Sequence, residues 1–376
     1  MKVAIVTSFP ARPQEPRGGV QAVSVNLIRE LAKTWQGEVH VVTMDRACTG
    51  IDRSTWEGAT IHRLPWTGRK MLTHAVGEGR RQMRAYLEQL RPDVIHAHDT
   101  YGLMVKGIAV PRVFTIHGFI YADTLVEGGR LARVRSWLWR RAEEACWADQ
   151  PHIISISPYV RERLRGIARG VIRDIDNPVG EEFFQIERRE EKGTIFSAGA
   201  ICPRKNTLGL IEARARMTAA GVDGQLRLAG PTADDGYERR VRELIHARGL
   251  EDRVVLLGPI GTEQIRQELA GASAFALVSL EENSPMVIEE AMAAGVPVVT
   301  SNRCGMPYMV RDAESGYLVD PLDPDDIAKG LATLLEDDAL RFSMGQKGRE
   351  IAADRFHPAK VAARTMEVYR RAARGR

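Results

Sequence analysis

The amino-acid sequence predicts an α/β protein made of two doubly wound domains. Three observations carry that prediction. Apolar strand-like runs alternate with helix-like periods along the chain, the pattern of parallel sheets. The alternation breaks once, near residues 178–192, and then restarts. A chain of 376 residues is long enough for two domains of ordinary size.

In the first half the predicted strands are residues 3–7, 39–43, 94–97, 113–116 and 153–155. Predicted helices cover residues 21–33, 79–90, 131–147 and 158–164. The break is I-D-N-P-V-G-E-E-F-F followed by charged residues from Glu187 to Lys192, with Asn177-Pro178 and Gly180 as turn signals. Strands resume at residues 194–198, 226–229, 254–257, 275–278 and 297–300, each separated by a helix. A last helix, residues 358–374, follows after the second set is complete. Residues 1–178 thus form a first domain and residues 192–357 a second. Ligands of such sheets bind outside the carboxyl ends of the strands, so two facing sheets make a cleft.

Composition narrows the class. With 44% hydrophobic and 27% charged residues the chain is globular. No apolar run approaches the roughly 18 residues that a bilayer span requires. The opening M-K-V-A-I-V-T-S-F-P reads as a strand rather than a signal peptide. Cys48, Cys146, Cys202 and Cys304 lack paired spacing, which fits reduced thiols in a cytoplasmic protein and counts against zinc. Residues 1–182 hold 26 Lys/Arg against 20 Asp/Glu, and the remainder 27 against 29. The first half suits an anionic partner or an inner-membrane surface at its periphery. The excess is too small to imply nucleic acid. G-x-G-x-x-G is missing: Gly18-Gly19 follows the first strand at a distance, without a third glycine, which disfavours a nicotinamide enzyme.

The most informative stretch is L-E-E-N-S-P-M-V-I-E-E-A-M-A-A-G-V-P-V-V, Leu280 to Val299. Ser284 suits an N-cap and Pro285 the first helical position, with Glu282 before the helix and Glu290 two turns inside it. Backbone N–H groups at a helix start can hold an anion. Carboxylates beside them can accept from hydroxyls. The set suits a ligand carrying both phosphate and sugar hydroxyls. Glu289 reads as an ordinary surface acid.

This stretch resembles the E-x7-E signature of family 4 glycosyltransferases, and continues with their E-A-M-A-x-G-x-P-V-V. The resemblance runs over nearly the whole chain and is strongest from Gly199 to Pro321. It implies the GT-B fold, with the nucleotide sugar on the second domain and the last helix, residues 358–376, crossing back to the first. It further implies a retaining transferase that needs no metal and no cofactor beyond its nucleotide-diphosphate sugar donor. The acceptor would be a glycan, glycolipid or small molecule, in surface polysaccharide or glycolipid assembly. A GT-B nucleotide-sugar epimerase and a non-catalytic nucleotide-sugar-binding module are the alternatives.

Residue by residue, S-A-G-A-I-C-P-R-K-N resembles the family segment whose Lys and Arg meet the donor diphosphate. Lys205 matches the Lys. Ala200 stands where the Arg usually follows the first Gly, and Arg204 is the candidate substitute. Cations are unfavourable at a helix start, so their placement is easier to understand beside an anion. T-I-H-G-F carries His117, which in relatives reaches the donor sugar; the alternative is a structural, hydrogen-bonded histidine. Gly18 and Gly19 resemble the glycine loop that approaches donor phosphate or acceptor. Gly230 and Gly258 resemble the strand-end loops around the nucleotide base. Asn283, Ser284, Pro285, Met286 and Val287 would supply backbone contacts to the donor, Glu282 would hold sugar hydroxyls, and Glu290 would bind ribose.

Three other motifs read as structure. His96 and His98 share one strand face, without an acidic or Cys partner at metal-binding spacing. Asp323-Pro324-Asp325, a poor match to a metal-binding D-x-D, reads as a helix cap. The basic, Trp-containing segment from Gly129 to Arg141 has composition suited to a membrane interface, but reads as a core helix with a solvated side.

Overall fold

The computed structural model describes residues 1–232 and 234–375. It divides into two compact units. The first holds Met1–Thr124, Leu131–Pro178 and the C-terminal stretch from Pro358; the second holds Val179–His357 with Leu125–Arg130.

The first unit is built on an eight-stranded sheet. Its strands are β1 (Lys2–Val6), β2 (Glu38–Asp45), β3 (Asp52–Trp56), β4 (Ala59–Pro65), β5 (Val94–His98), β6 (Arg112–Ile116), β7 (His152–Ser155) and β8 (Val171–Asp174). Their order is β3-β4-β2-β1-β5-β6-β7-β8, parallel except where β3 pairs antiparallel with β4. The central strands are covered on both faces, so they read as unbroken apolar runs such as V-A-I-V. β3 and β4 are absent from the sequence prediction. The reason is visible: β3 is the polar edge, D-R-S-T-W, four of its five residues exposed. The turn between them is Glu57-Gly58, both at positive φ, a two-residue hairpin turn without the usual Asn-Gly or Asp-Gly sequence.

The second unit carries a six-stranded parallel sheet. Its strands are β9 (Thr194–Ala198), β10 (Gln225–Ala229), β11 (Val254–Gly258), β12 (Ala274–Leu277), β13 (Val298–Ser301) and β14 (Gly316–Val319), in the order β11-β10-β9-β12-β13-β14. The stretch from Val179 to Lys192, expected between the domains from its charge and turns, packs on this unit. Phe183 and Ile186 are buried. Glu190 accepts from Ser273 Oγ at 2.7 Å and from Arg341 Nε at 2.8 Å.

Both sheets reverse direction once. In the first, the chain winds outward from β1 to β2 and then restarts on the other side of β1 with β5. In the second, it winds from β9 to β11 and restarts beside β9 with β12. At such a switch point adjacent loops leave in opposite directions and open a crevice, the ligand position of open α/β sheets.

The Pro358–Ala373 helix completes the first core. Val361, Ala362, Met366, Val368, Tyr369 and Ala372 are buried with residues of β1, β2, β5 and β6 and of the Gly19–Thr34 helix. Tyr369 packs edge-on against Trp35, and its hydroxyl lies 2.7 Å from His96 Nδ1; His96 Nε2 lies 2.7 Å from Thr115 Oγ1. His96 is therefore a structural histidine between two hydroxyls. Its burial pushes the imidazole down to about 3, so it stays neutral. Tyr369→Phe should cost about 1–3 kcal/mol by leaving a buried ring nitrogen without its partner. Equilibrium denaturation in urea measures this, and an unchanged midpoint would show that the bond contributes nothing.

Candidate active site

The predicted cation pair stands at the second switch point. After β9 the chain passes Gly199 and Ala200, makes one 3-10 turn at Pro203–Lys205, and enters the Thr207–Ala219 helix through Asn206 at φ 54°. Arg204 Nη1 donates to Glu282 Oε1 at 2.6 Å and to the Glu281 carbonyl at 3.0 Å. Lys205 Nζ meets the same Glu282 oxygen at 2.5 Å. Three predicted residues from two loops thus share one oxygen. Their side chains retain only 12–20% exposure, so screening by water is weak. Burial alone would raise the Glu282 carboxyl, but the charges of Lys205 and Arg204 outweigh it and hold it below its ordinary value.

Backbone contacts fix the loops around this knot. The Leu280 N–H donates to the Arg204 carbonyl and the Gly305 N–H to the Glu282 carbonyl, both at 2.8 Å. A side chain at position 305 would strike the Asn283 carbonyl, so Gly305 is required for the close approach. Gly230, at φ 141°, faces Gly199 so closely that a Cβ would lie 2.0 Å from its carbonyl oxygen. The Gly230 N–H donates to the Gly258 carbonyl at 2.8 Å. Gly199, Gly230 and Gly258 thus line up across the ends of β9, β10 and β11.

The helix after β12 differs from its prediction in three ways. It runs Met286–Ala293 with Pro285 as N-cap, so Ser284 is not the cap and Glu290 lies little more than one turn inside. Ser284 Oγ turns instead to Glu289 Oε1 at 2.7 Å, a bond that holds the loop to the helix. Glu289, read as a surface acid, is fully buried. No side chain caps this helix, so its first N–H groups, those of Met286 and Val287, are left to another partner. Asn283, Ser284, Pro285 and Met286 are buried and Val287 is half-buried. Glu290 is buried, and burial followed by the Glu182 charge pushes its carboxyl up to about 8.

The remaining predicted residues, His117, Gly18 and Gly19, belong to the first unit. Gly18, at φ 90°, precedes the Gly19–Thr34 helix, and a Cβ there would meet nothing within 4 Å. His117 follows β6, with its Nε2 2.8 Å from His98 Nδ1 and the two rings stacked. A hydrogen bond to Asn177 and the Asp99 charge favour its protonated form, yet burial prevails and keeps the imidazole below its ordinary value. His98 is buried and driven well below its ordinary value, and its Nε2 has no hydrogen-bond partner among the described residues.

Two acids that sequence reasoning missed hold the His117 loop. Asp99, in a left-handed conformation that Asp tolerates, accepts from the His117 N–H at 2.7 Å and from the Gly118 N–H. Glu143 accepts from the Ile120 and Tyr121 N–H groups at 3.0 and 3.1 Å. Asp99 directly follows the H-A-H strand end, a position that could have flagged it. Glu143 lies in R-R-A-E-E, where only its burial distinguishes it from Glu144.

Asp323 accepts from the Asp325 and Asp326 N–H groups, the cap expected of it. Among the described residues no group of three or more His, Cys, Asp or Glu is arranged to hold a metal ion.

Comparison with known proteins gives the family and the fold. Residues 17–183 match the family model described as Glycosyltransferase Family 4, and residues 179–351 that of Glycosyl transferases group 1. A D-inositol 3-phosphate glycosyltransferase of Corynebacterium diphtheriae is 35% identical over 98% of this chain and 94% of that protein. The sucrose-phosphate synthase of Thermosynechococcus elongatus has a TM-score of 0.85 over 100% of both chains, at 21% identity. Anabaena HepE in complex with UDP-glucose has a TM-score of 0.75 over 98% of this chain and 99% of that one, at 15% identity. The fold is that of the GT-B enzymes, and the chain belongs to the group 1 glycosyl transferases.

The buried carboxyls generate a pH prediction. Glu290 and Glu143 titrate ordinarily at 4.5 and are both raised to about 8 in the fold. A raised carboxyl contributes stability that is complete below the unfolded value and lost as pH rises through the folded one. The unliganded protein should therefore weaken between pH 4.5 and pH 8, and Glu290→Gln should remove a share on the order of a few kcal/mol. Urea midpoints measured across that range test this. Parallel pH profiles for the two proteins would show that Glu290 does not titrate so high.

Proposed function

We propose that this glycosyltransferase moves a sugar from a nucleotide-diphosphate sugar to an acceptor hydroxyl, with retention of anomeric configuration and without a metal ion. The observation that carries the reading is the Arg204–Lys205–Glu282 knot at a switch point, next to a helix start that no side chain caps. A diphosphate suits that place: cations on one side and open N–H groups on the other. UDP-glucose, bound by the Anabaena relative, represents the donor class.

In this reading the acceptor oxygen attacks the anomeric carbon on the face that the diphosphate leaves. The bond from that carbon to the phosphate oxygen breaks, and this oxygen takes the acceptor proton. Lys205 and Arg204 stabilise charge growing on the diphosphate, where preorganised donors have their largest effect. Glu282, partly released by the incoming phosphate, accepts from sugar hydroxyls. The backbone from Asn283 to Val287 supports the donor. Gly230 and Gly258 leave room at the base, and Gly18 and Gly19 at donor phosphate or acceptor. His117, kept neutral by its burial and oriented by His98 and Asn177, contacts the donor sugar. The acceptor class is a glycan, glycolipid or small molecule of surface polysaccharide or glycolipid assembly, handled in the cytoplasm.

Glu290 accepts from the ribose hydroxyls in its ionised form. Burial keeps it protonated in the free enzyme, so ligand binding must expel that proton. Affinity for a nucleoside diphosphate should therefore rise as pH climbs towards about 8. Glu290→Gln should flatten the rise and weaken binding by about 1.5–3 kcal/mol. Calorimetry decides; an affinity unchanged in the variant would take Glu290 out of the ribose site.

Two substitutions test the cation pair. Lys205→Ala should sharply lower kcat, and Arg204→Ala should lower it about 10²–10³-fold. The double variant should lose less than the product of the two factors, because groups acting on one charge are not additive. Near-normal kcat in soluble Arg204→Ala protein would assign the second cation elsewhere, with Arg17 beside Gly18 as the next candidate. Turnover should survive excess EDTA, and NMR of the product should show the donor's anomeric configuration. Activity restored only by Mg²⁺ or Mn²⁺, or an inverted linkage, would contradict the proposal.

A further inference from the structure

The Ala132–Trp147 helix has two unlike faces. Ser136, Glu143, Cys146 and Trp147 are buried, and Trp139 packs against the first core. On the opposite face Val134, Trp137 and Leu138 are 52%, 58% and 46% exposed, and Leu131 at the N-cap is 65% exposed. At 3.6 residues per turn these four positions fall in a stripe about 120° wide. A surface helix ordinarily places polar residues opposite its core. Here the solvent side carries a Trp, two aliphatic side chains and a Leu cap.

The charges around the stripe are of one sign. From Arg130 to Arg141 the sequence holds five arginines and no acid. Arg133 and Arg140 border the stripe on one side and Arg135 on the other. Arg141 lies within it, its guanidinium 5.9 Å from the Trp137 ring centroid. Arg140 is engaged by Glu144 at 2.7 Å, whereas Arg133, Arg135 and Arg141 make no ion pair among the described residues. An apolar stripe with Trp at its centre and cations along both borders matches a layered partner, apolar inside and anionic at its surface. Trp favours that boundary, and Arg can bury its stem while its head stays with phosphates. Among the described residues no helix is long and apolar enough to cross a membrane, so the contact is superficial.

We propose that this face docks on an anionic lipid bilayer. The interaction is independent of the sugar-transfer chemistry, since none of these side chains belongs to the candidate active site.

Co-sedimentation of the full chain with vesicles tests it. The protein should bind phosphatidylcholine vesicles containing phosphatidylglycerol, bind pure phosphatidylcholine much more weakly, and lose affinity as salt is raised. Arg133→Gln with Arg135→Gln should weaken binding by about fivefold per arginine. Trp137→Ala with Leu138→Ala should also release the protein from vesicles. Brominated lipid should quench tryptophan fluorescence in the wild type, and markedly less in Trp137→Phe. Far-UV circular dichroism and the urea midpoint should stay unchanged in every variant, because the replaced side chains are exposed. Absence of binding to phosphatidylglycerol vesicles would overturn the proposal, as would binding that survives both sets of substitutions. A concentration-dependent dimer that Trp137→Ala/Leu138→Ala abolishes, without lipid binding, would assign the face to a second copy of the chain.

Discussion

Glu282 Oε1 carries two cations at once, and the second unit's site is arranged around those two bonds. Arg204 and Lys205 come from the turn after β9, Glu282 from the loop after β12. The ion pairs therefore tie together the two loops that part at the switch point. Removing either charge type would leave the other poorly solvated, a larger cost than the net gain from the pairs. The same physics makes the knot exchangeable. In the proposed reading an incoming anion takes the carboxylate's place as the partner of both cations, within the surrounding backbone. That backbone is held by its own bonds, from Leu280 to Arg204 and from Gly305 to Glu282.

The first unit uses neutral groups where the second uses ions. His96, His98 and His117 are all held below their ordinary value by burial, so none is charged at neutral pH. The His117 loop hangs on the carboxyls of Asp99 and Glu143, which accept from backbone N–H groups at four successive or nearly successive residues. This fixes the loop through its backbone and leaves the imidazole to be oriented by His98 and Asn177. The Pro358–Ala373 helix supports the same region through Tyr369 and His96. The last helix thus reaches the histidine cluster although it follows the second sheet in sequence.

Much of this was legible from residue order. The central strands were, because burial on both faces demands continuous Val, Ile and Ala. Arg204 and Lys205 were, because cations at a helix start call for an anion nearby. The edge strands β3, β8 and β14 were not: β3 and β8 carry exposed polar residues, and β14 offers only the three-residue run Tyr317–Val319. Ser284 was misread because Ser before Pro is an N-cap signal, and only the tertiary structure places Glu289 within its reach. Glu289 and Glu143 escaped for a common reason: a Glu in a charged or amphipathic stretch is ordinarily exposed, and burial of one member is a property of packing. The segment from Gly129 to Arg141 reads as a core helix with a solvated side, but the sequence does not show that Val134, Trp137 and Leu138 lie on that side.

The most direct measurement is a crystal structure of the protein with a nucleoside diphosphate. The account predicts that Lys205 Nζ and Arg204 Nη1 turn to the terminal phosphate, that the Met286 and Val287 N–H groups point at the phosphates, and that the ribose hydroxyls reach Glu290. A diphosphate bound elsewhere, with both cations still on Glu282 Oε1, would contradict it.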